Sequence, residues 1–329
     1  MSTVSNVLNN PHVVSGDTRR RVEAAMATVG YVPNSAARQL RGAPAMTAGC
    51  LLLDSANPFF AAVARGMEDR LAEVGCMLIV CSTDVRAERE ARYLHMLEQL
   101  GVRGILVAPV SSELDAAVAV GRRGTPVVLV DHPRGDTPTC AAAVDNLRGG
   151  ELAAEHLLGL GHRRIALLTS QAAVRSVVDR ADGFRRGLVA AGVDVSTALV
   201  SVPLEPPVSV ATAESSIVHV LAAAPRPTAV VCFNDMTAVG AMRGLRTAGV
   251  DVPGQMSVLG YDDLVFAAQL APPLTTIRQP TYELGRAAAE LLLAEGGPGH
   301  RHREVLFAPE LVVRQSTAAP PATDTTRTR

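Results

Sequence analysis

The 329 residues are long enough for two sizeable cores, and a composition of 48% hydrophobic, 19% charged and 3% aromatic residues describes an Ala/Val/Leu-rich globular protein. A net charge of −1 excludes a protein that coats nucleic acid over its whole surface. No apolar run reaches membrane-spanning length and no secretory leader is evident, so a cytoplasmic protein with no membrane partner is expected.

The charge is unevenly placed. Residues 1–41 carry Arg19, Arg20, Arg21, Arg38 and Arg41 against Asp17 and Glu23, a net +3 that leaves −4 for the remainder. That is the expected pattern if only the N-terminal end faces phosphates. Val4, Val7 and Leu8 at helical spacing predict a first helix that stops at Pro11. A second helix is expected after Ser15, with Val22, Ala25, Met26 and Val29 on one face and its end at Gly30. Two such helices bury too little to hold a fold, so they read as part of a three-helix unit that lacks one helix.

In 31–42, Asn34 suits the cap of a two-turn helix and Gly42 its stop. A helix that short is not stable alone in water. Ala36 and Ala37 allow close approach of a second copy, Arg38 and Arg41 suit phosphates, and Leu40 has the character of an apolar wedge between base steps. The competing reading is an Ala-rich linker.

From Met46 apolar strands alternate with helical stretches, the signature of parallel α/β structure. Strands are expected at 48–53, 77–81, 104–108 and 127–130, separated by helices at 58–74, 87–100 and 112–123. A second series has strands at 164–169, 199–202, 228–233 and 257–260, with helices near 147–159, 179–191, 209–223 and 235–248. Two series imply two similar subdomains with a cleft between them. The helix 281–295 and the strand 304–307 come late enough to return to the first. The Pro/Thr/Ala-rich tail 318–329 is expected to be disordered, with no leucine heptad for a coiled coil.

The five cysteines, Cys50, Cys76, Cys81, Cys140 and Cys232, are odd in number and scattered. They read as reduced core thiols, with neither a disulfide framework nor a zinc spacing, and no metal or cofactor is expected.

In open parallel sheets ligands bind outside the carboxyl ends of the strands. The polar residues there are Asp54 and Ser55, Asp131, Asn234 and Asp235, and Asp262 and Asp263, each of which suits a helix cap equally well. Phe59 and Phe60, directly after the first strand, offer a flat face to a sugar or base as readily as they fill a core. Arg180 reads as a solvated residue or a ligand clamp.

Together these residues resemble the lactose-repressor (LacI/GalR) family of bacterial transcription regulators over roughly 2–317. The pieces that carry the likeness are Ser2-Thr-Val-Ser-Asn-Val-Leu-Asn9, Thr18-Arg-Arg-Arg-Val-Glu-Ala-Ala-Met26, Gly30-Tyr-Val-Pro-Asn34, Asn57-Pro-Phe-Phe60, Leu160-Gly-His-Arg-Arg-Ile-Ala166, Asn234-Asp235, Gly260-Tyr-Asp-Asp263 and Pro273-Leu-Thr-Thr-Ile-Arg-Gln279. The resemblance implies a helix-turn-helix head at 1–30, a hinge at 31–45 and a periplasmic-binding-protein-like core at 46–317. Within the core it implies an N-subdomain of about 46–145 plus 280–306 and a C-subdomain of about 146–279 plus 307–317.

It further implies a homodimer that binds operator DNA through Ser2, Thr3 and Asn6 on the recognition helix and Asn34, Arg38 and Leu40 in the hinge. The implied effector pocket is lined by Phe59, Phe60, Asp131, Arg180, Asn234, Asp262 and Gln279, an inventory that suits a neutral polyol such as a sugar better than an anion, while Arg180 leaves an acidic or phosphorylated effector as the alternative. The chain begins inside the second helix of the family's head, so the first helix is expected upstream of Met1, against the alternative of a truncated regulator whose head does not fold independently, and Asn6 stands where the family often has Arg. A repressor under effector control is therefore expected, against the alternative of a sugar sensor that uses the core alone. An enzyme is not expected, since no nucleophile elbow, Walker loop or Gly-x-Gly-x-x-Gly fingerprint occurs.

Overall fold

The structure is a computed structural model that describes residues 3–9, 11–31, 45–297 and 299–321. Two compact units emerge, Met1–Ala45 and Met46–Arg329. In the first, helix α1 spans Thr3–Asn9, a 3-10 turn follows at Pro11–Val13, and α2 spans Gly16–Thr28. The Ser15 side chain caps α2 by accepting from the Thr18 amide, and Gly30 takes the left-handed conformation (φ 62°) that ends it. Among the described residues of this unit only Val7 is a buried hydrophobic, and α2 buries none.

The second unit holds two six-stranded sheets. The first has the order β11-β5-β4-β3-β1-β2, from β1 (Thr47–Leu52), β2 (Met77–Ser82), β3 (Ile105–Val107), β4 (Val127–Val130), β5 (Cys140–Val144) and β11 (Glu304–Phe307). All its pairings are parallel. The second sheet has the order β12-β10-β9-β8-β6-β7, from β6 (Ile165–Ser170), β7 (Leu199–Leu204), β8 (Ala229–Cys232), β9 (Ser257–Asp262), β10 (Thr275–Arg278) and β12 (Glu310–Val312). Only its β10–β12 pair is antiparallel.

Central strands such as β3, β4, β5 and β8 are buried along their whole length, as parallel strands covered by helices on both faces must be. Alternation divides their side chains between two cores: Cys50, Leu52, Leu106 and Val128 fill one face of the first sheet, and Leu51, Ile105, Val107 and Leu129 the other.

The chain passes between the sheets three times: from β5 into the helix Asn146–Gly159, from β10 into the helix Thr281–Ala294, and from β11 to β12. Three strands, β5, β10 and β12, carry little sequence signature. β5 is Cys-Ala-Ala-Ala-Val, whose alanines carry weak strand propensity, while β10 and β12 are only four and three residues long.

The expected disorder of 318–329 is corrected at its start. The Ala318 amide donates to Ser257 Oγ (3.0 Å), and its carbonyl accepts from His162 Nε2 (2.9 Å). Upstream, the Ser316 carbonyl accepts from the Val258 amide (2.8 Å), so this stretch runs along β9 and is held by backbone pairing that Pro/Thr/Ala composition does not reveal. Residues 322–329 lie outside the described set.

One packing detail positions the site. Helices α6 (Asn146–Gly159) and α7 (Arg175–Ala190) cross at glycines, where a Cβ on Gly150 would collide with the Arg180 carbonyl oxygen and one on Gly183 with that of Leu147. That close approach holds Arg180 beside Asn146. Gly150→Ala is expected to wedge the pair apart and destabilise the core by about 1–3 kcal/mol, read by urea denaturation.

Candidate ligand-binding cleft

A cleft of about 420 Å³ opens where the strand ends of the two sheets face each other. From the first sheet come Leu53, Asp54, Asn57, Phe59 and Phe60 after β1, Asp84, Val85 and Arg86 after β2, and Asp131 after β4. From the second come Ser170 and Ala172 around the end of β6, Val174, Ser176, Val177 and Arg180 around α7, Pro206, Pro207 and Val208 after β7, Phe233 and Asn234 after β8, and Asp262 at the end of β9.

The backbone at these ends is strained. Among the described residues five non-glycines have positive φ: Asp84 (52°), Val85 (55°), Asp131 (53°), Asp262 (117°) and Asp263 (56°). Four of the five line the cleft. A β-branched valine in this region is a clear outlier, and such strain concentrates where side chains must be aimed at a ligand.

Arg180 sits at the centre of the charge arrangement, only 8% exposed. Its Nε donates to Asn146 Oδ1 (2.8 Å) and its Nη1 to the Phe233 carbonyl (2.8 Å). The guanidinium lies 3.8 Å from the centre of the Tyr261 ring, and Nη1 is 3.6 Å from Asp262 Oδ1. Asn146 Oδ1 also accepts from the Tyr261 hydroxyl (3.1 Å).

Asp262 accepts from Gln279 Nε2 (2.7 Å). Burial drives its carboxyl well above the usual range, partly opposed by Arg180. Burial raises Asp131 too, against Arg180 and the neighbouring Ser176 and Asn146 side chains. Asp131 Oδ1 is buried without a hydrogen-bond partner among the described residues. The cleft therefore presents one fixed cation between two buried carboxyls, one of which has an unfilled acceptor.

The remaining expected residues divide. Phe59 and Phe60 are buried and packed edge to face, 4.9 Å between centres, serving the core and the cleft wall together. Asn234 uses Oδ1 to cap the helix Asp235–Thr247 by accepting from the Thr237 amide (2.8 Å) and hydroxyl (2.7 Å), and it still lines the cleft.

Gln279 is not on the wall; it stands behind Asp262 and orients it. Asp235, expected at the cleft, is instead fully buried, accepting from the Leu264 amide (2.7 Å) and Thr276 Oγ1 (2.7 Å). Asp263 is likewise off the wall, engaged by Arg278 (2.8 Å) and Arg314 (2.6 Å). Ser55 turns its amide to Ser82 Oγ (3.3 Å). Asn146, Tyr261 and Ser176 went unnoticed as site residues in the sequence. In the head, Thr3 is exposed and Asn6 half-buried on α1, while Ser2, Asn34, Arg38 and Leu40 lie outside the described residues.

Two parallel-sheet lobes around a polar cleft, preceded in sequence by two short helices with a Ser-capped turn, define a binding-protein-like core that follows a helix-turn-helix segment. Comparison with known proteins agrees on both parts. Residues 154–317 match the periplasmic binding protein-like domain, and residues 1–34 match the bacterial regulatory proteins of the lacI family. The chain is 32% identical to the HTH-type transcriptional regulator DegA of Bacillus subtilis over 323 residues, 97% of this chain and 94% of DegA.

Among solved structures it is similar to the lac repressor dimer bound to operator and the anti-inducer ONPF (29% identity, TM-score 0.83, 96% of this chain and 95% of that one). It is also similar to a LacI-family regulator from Enterococcus faecium with bound ribose (33% identity, TM-score 0.76, 83% and 99%). The chain belongs to the lacI family of bacterial regulatory proteins, whose named relatives are transcriptional regulators rather than enzymes. No helix among the described residues is long and apolar enough to cross a membrane.

The buried Asp235 has a consequence for stability. Burial pushes its carboxyl up to about 7, against the hydrogen bonds from Thr276 and the Leu264 amide. The folded state therefore keeps a proton that the unfolded chain releases near the ordinary carboxylate value. This contribution is complete below that value and is lost as pH rises through about 7. As pH rises from the ordinary carboxylate range to about 7, Asp235 should contribute a fall in the melting temperature of the ligand-free chain, and Asp235→Asn should remove that part of the slope.

Proposed function

We propose that this chain is a DNA-binding repressor whose affinity for its operator is set by a small neutral polyol, of the sugar class, bound in the cleft between the two lobes. The observation that carries the reading is the Asp131–Arg180–Asp262 arrangement. Arg180 places Nε on Asn146 and Nη1 on the Phe233 carbonyl and stands 3.6 Å from Asp262, so much of its charge is already engaged within the protein, which favours a neutral ligand over a phosphate or carboxylate. Asp131 keeps an unfilled acceptor that a hydroxyl donor fills at no charge cost. Ribose, held by the Enterococcus faecium regulator, is a ligand of this chemistry.

On this reading the head, hinge and core are residues 1–30, 31–45 and 46–317, and the protein works in the cytoplasm, where its DNA is. Thr3 and Asn6, with Ser2, face base edges; Asn34, Arg38 and Leu40 act in the hinge. Ligand favours one of two core states, and operator affinity follows that equilibrium. Phe59, Phe60 and Asn234 shape the cleft, and Gln279 positions Asp262.

The working unit is a homodimer. At the free edge of the first sheet β2 exposes Met77 and Val80, and the helix Ala87–Gln99 that follows exposes Met96, with Leu100 beyond it. These apolar groups suit a second copy. Met96→Arg should weaken dimerisation by at least about tenfold in sedimentation equilibrium.

Asp131→Ala should reduce affinity for the activating sugar about 10- to 100-fold in calorimetry, while the ligand-free variant binds operator as the parent does. Unchanged sugar affinity in this variant contradicts the proposed site. Leu40→Ala should lower operator affinity at fixed salt with sugar binding intact.

A further inference from the structure

At the opposite end of the first sheet from the cleft, four side chains from distant parts of the sequence converge. Cys140 is the first residue of β5. Glu295 caps the C-terminal end of the helix Thr281–Ala294. His300 and His302 lie on the stretch that leads into β11, their rings edge to face with centres 5.2 Å apart. Gly296 and Gly299 take positive φ (74° and 75°) in the turn between them, which brings Glu295 and the histidines to one point.

The separations are those of a coordination shell. Glu295 Oε1 lies 3.2 Å from His300 Nε2 and 3.4 Å from His302 Nδ1, and Cys140 Sγ lies 3.5 Å and 4.0 Å from the same two nitrogens. All four donor atoms fall within 4.8 Å of one another. Tetrahedral zinc with ordinary Zn–N, Zn–O and Zn–S bonds places its donors about 3.3–3.6 Å apart. Two of these four separations, 3.4 and 3.5 Å, fall inside that range, the 3.2 Å one lies just below it, and the 4.0 Å one closes with a small rotation of the exposed His302 imidazole.

Two further details point inward. Glu295 Oε1 is buried and, although His300 Nε2 and His302 Nδ1 approach it and its carboxylate faces the Cys140 thiol, it has no well-aligned hydrogen-bond partner among the described residues, as happens when donors aim at a common centre rather than at each other. The Arg303 amide donates to Cys140 Sγ (3.4 Å), the kind of outer contact that supports a thiolate ligand.

We propose that Cys140, Glu295, His300 and His302 form a closed structural site for a divalent transition-metal ion of the zinc class. Binding displaces the Cys140 thiol proton to solvent and ties the end of the helix Thr281–Ala294 and the approach to β11 onto the first residue of β5. Four protein donors fill a tetrahedron and leave no open position, so the site holds structure and does no hydrolytic chemistry. Mixed thiolate and imidazole donors select zinc-class ions over magnesium or calcium. The proposal does not depend on the sugar reading of the cleft.

The test uses the untagged full chain, stripped by a chelator and titrated with zinc chloride by calorimetry and with cobalt(II) as an optical probe. One equivalent per chain is expected, with a thiolate-to-cobalt charge-transfer band that saturates at the same ratio and a zinc-dependent rise in melting temperature of about 3 °C or more. Cys140→Ser should abolish the band, and His302→Ala, at a 37% exposed side chain, should weaken zinc binding more than about tenfold with the far-ultraviolet dichroism unchanged. Absence of stoichiometric binding, or undiminished binding in His302→Ala, overturns the proposal. If Cys140→Ser fails to fold, the His302 variant alone decides.

Discussion

The core is organised around the cost of burying charge where two sheets meet. Arg180, Asp131 and Asp262 are all nearly inaccessible, and an ion removed from water is tolerated only when its surroundings replace the lost hydration. Asn146, Tyr261 and the Phe233 carbonyl do this for Arg180, and Gln279 does it for Asp262. Asp131 is left incomplete. A ligand with hydroxyl donors completes it, which gives occupancy of the cleft a differential free energy of the kind that an equilibrium between core states requires.

That arrangement depends on backbone features well away from the charges. The crossing of α6 and α7 at Gly150 and Gly183 carries Arg180 up to Asn146, so the first lobe-crossing segment and the ligand-facing cation are set by one helix contact. The positive φ values at Asp131 and Asp262 turn carboxyls into the cleft that ordinary extended backbone would leave standing out from a face of the sheet. Such strain is held by the burial of β4 and β9 on both faces. Polar aim is thus maintained by apolar packing.

Much of this fold was legible because parallel strands leave a strong trace. Val127–Val130 and Glu304–Phe307 were placed to the residue, since a continuous Val/Leu run, or Val-Leu-Phe set directly after a polar stretch, allows little slippage. β5 was not, because three alanines carry too little strand signal. Missing β5 also hid Asn146, which follows the capping Asp145 just beyond the strand end; the rule that drew attention to Asp131 applies to this pair equally. The pairs Asn234-Asp235 and Asp262-Asp263 show the limit of that rule. In each, the first residue meets the cleft while the second is taken up by local backbone or arginine, and one-residue differences in direction follow from φ and cannot be read from spacing. The Cys140, Glu295, His300 and His302 cluster was invisible for another reason: its members are brought together by strand pairing between β5 and β11, with no linear motif to mark them.

The most direct measurement of the central claim is operator affinity of the full chain at fixed salt, titrated in parallel with neutral monosaccharides and disaccharides and with their phosphorylated counterparts. The account predicts that at least one neutral sugar shifts operator affinity about tenfold or more and that its phosphate ester does not. A shift produced only by the phosphorylated forms would show that Arg180 is free to clamp an anion, and would contradict the account.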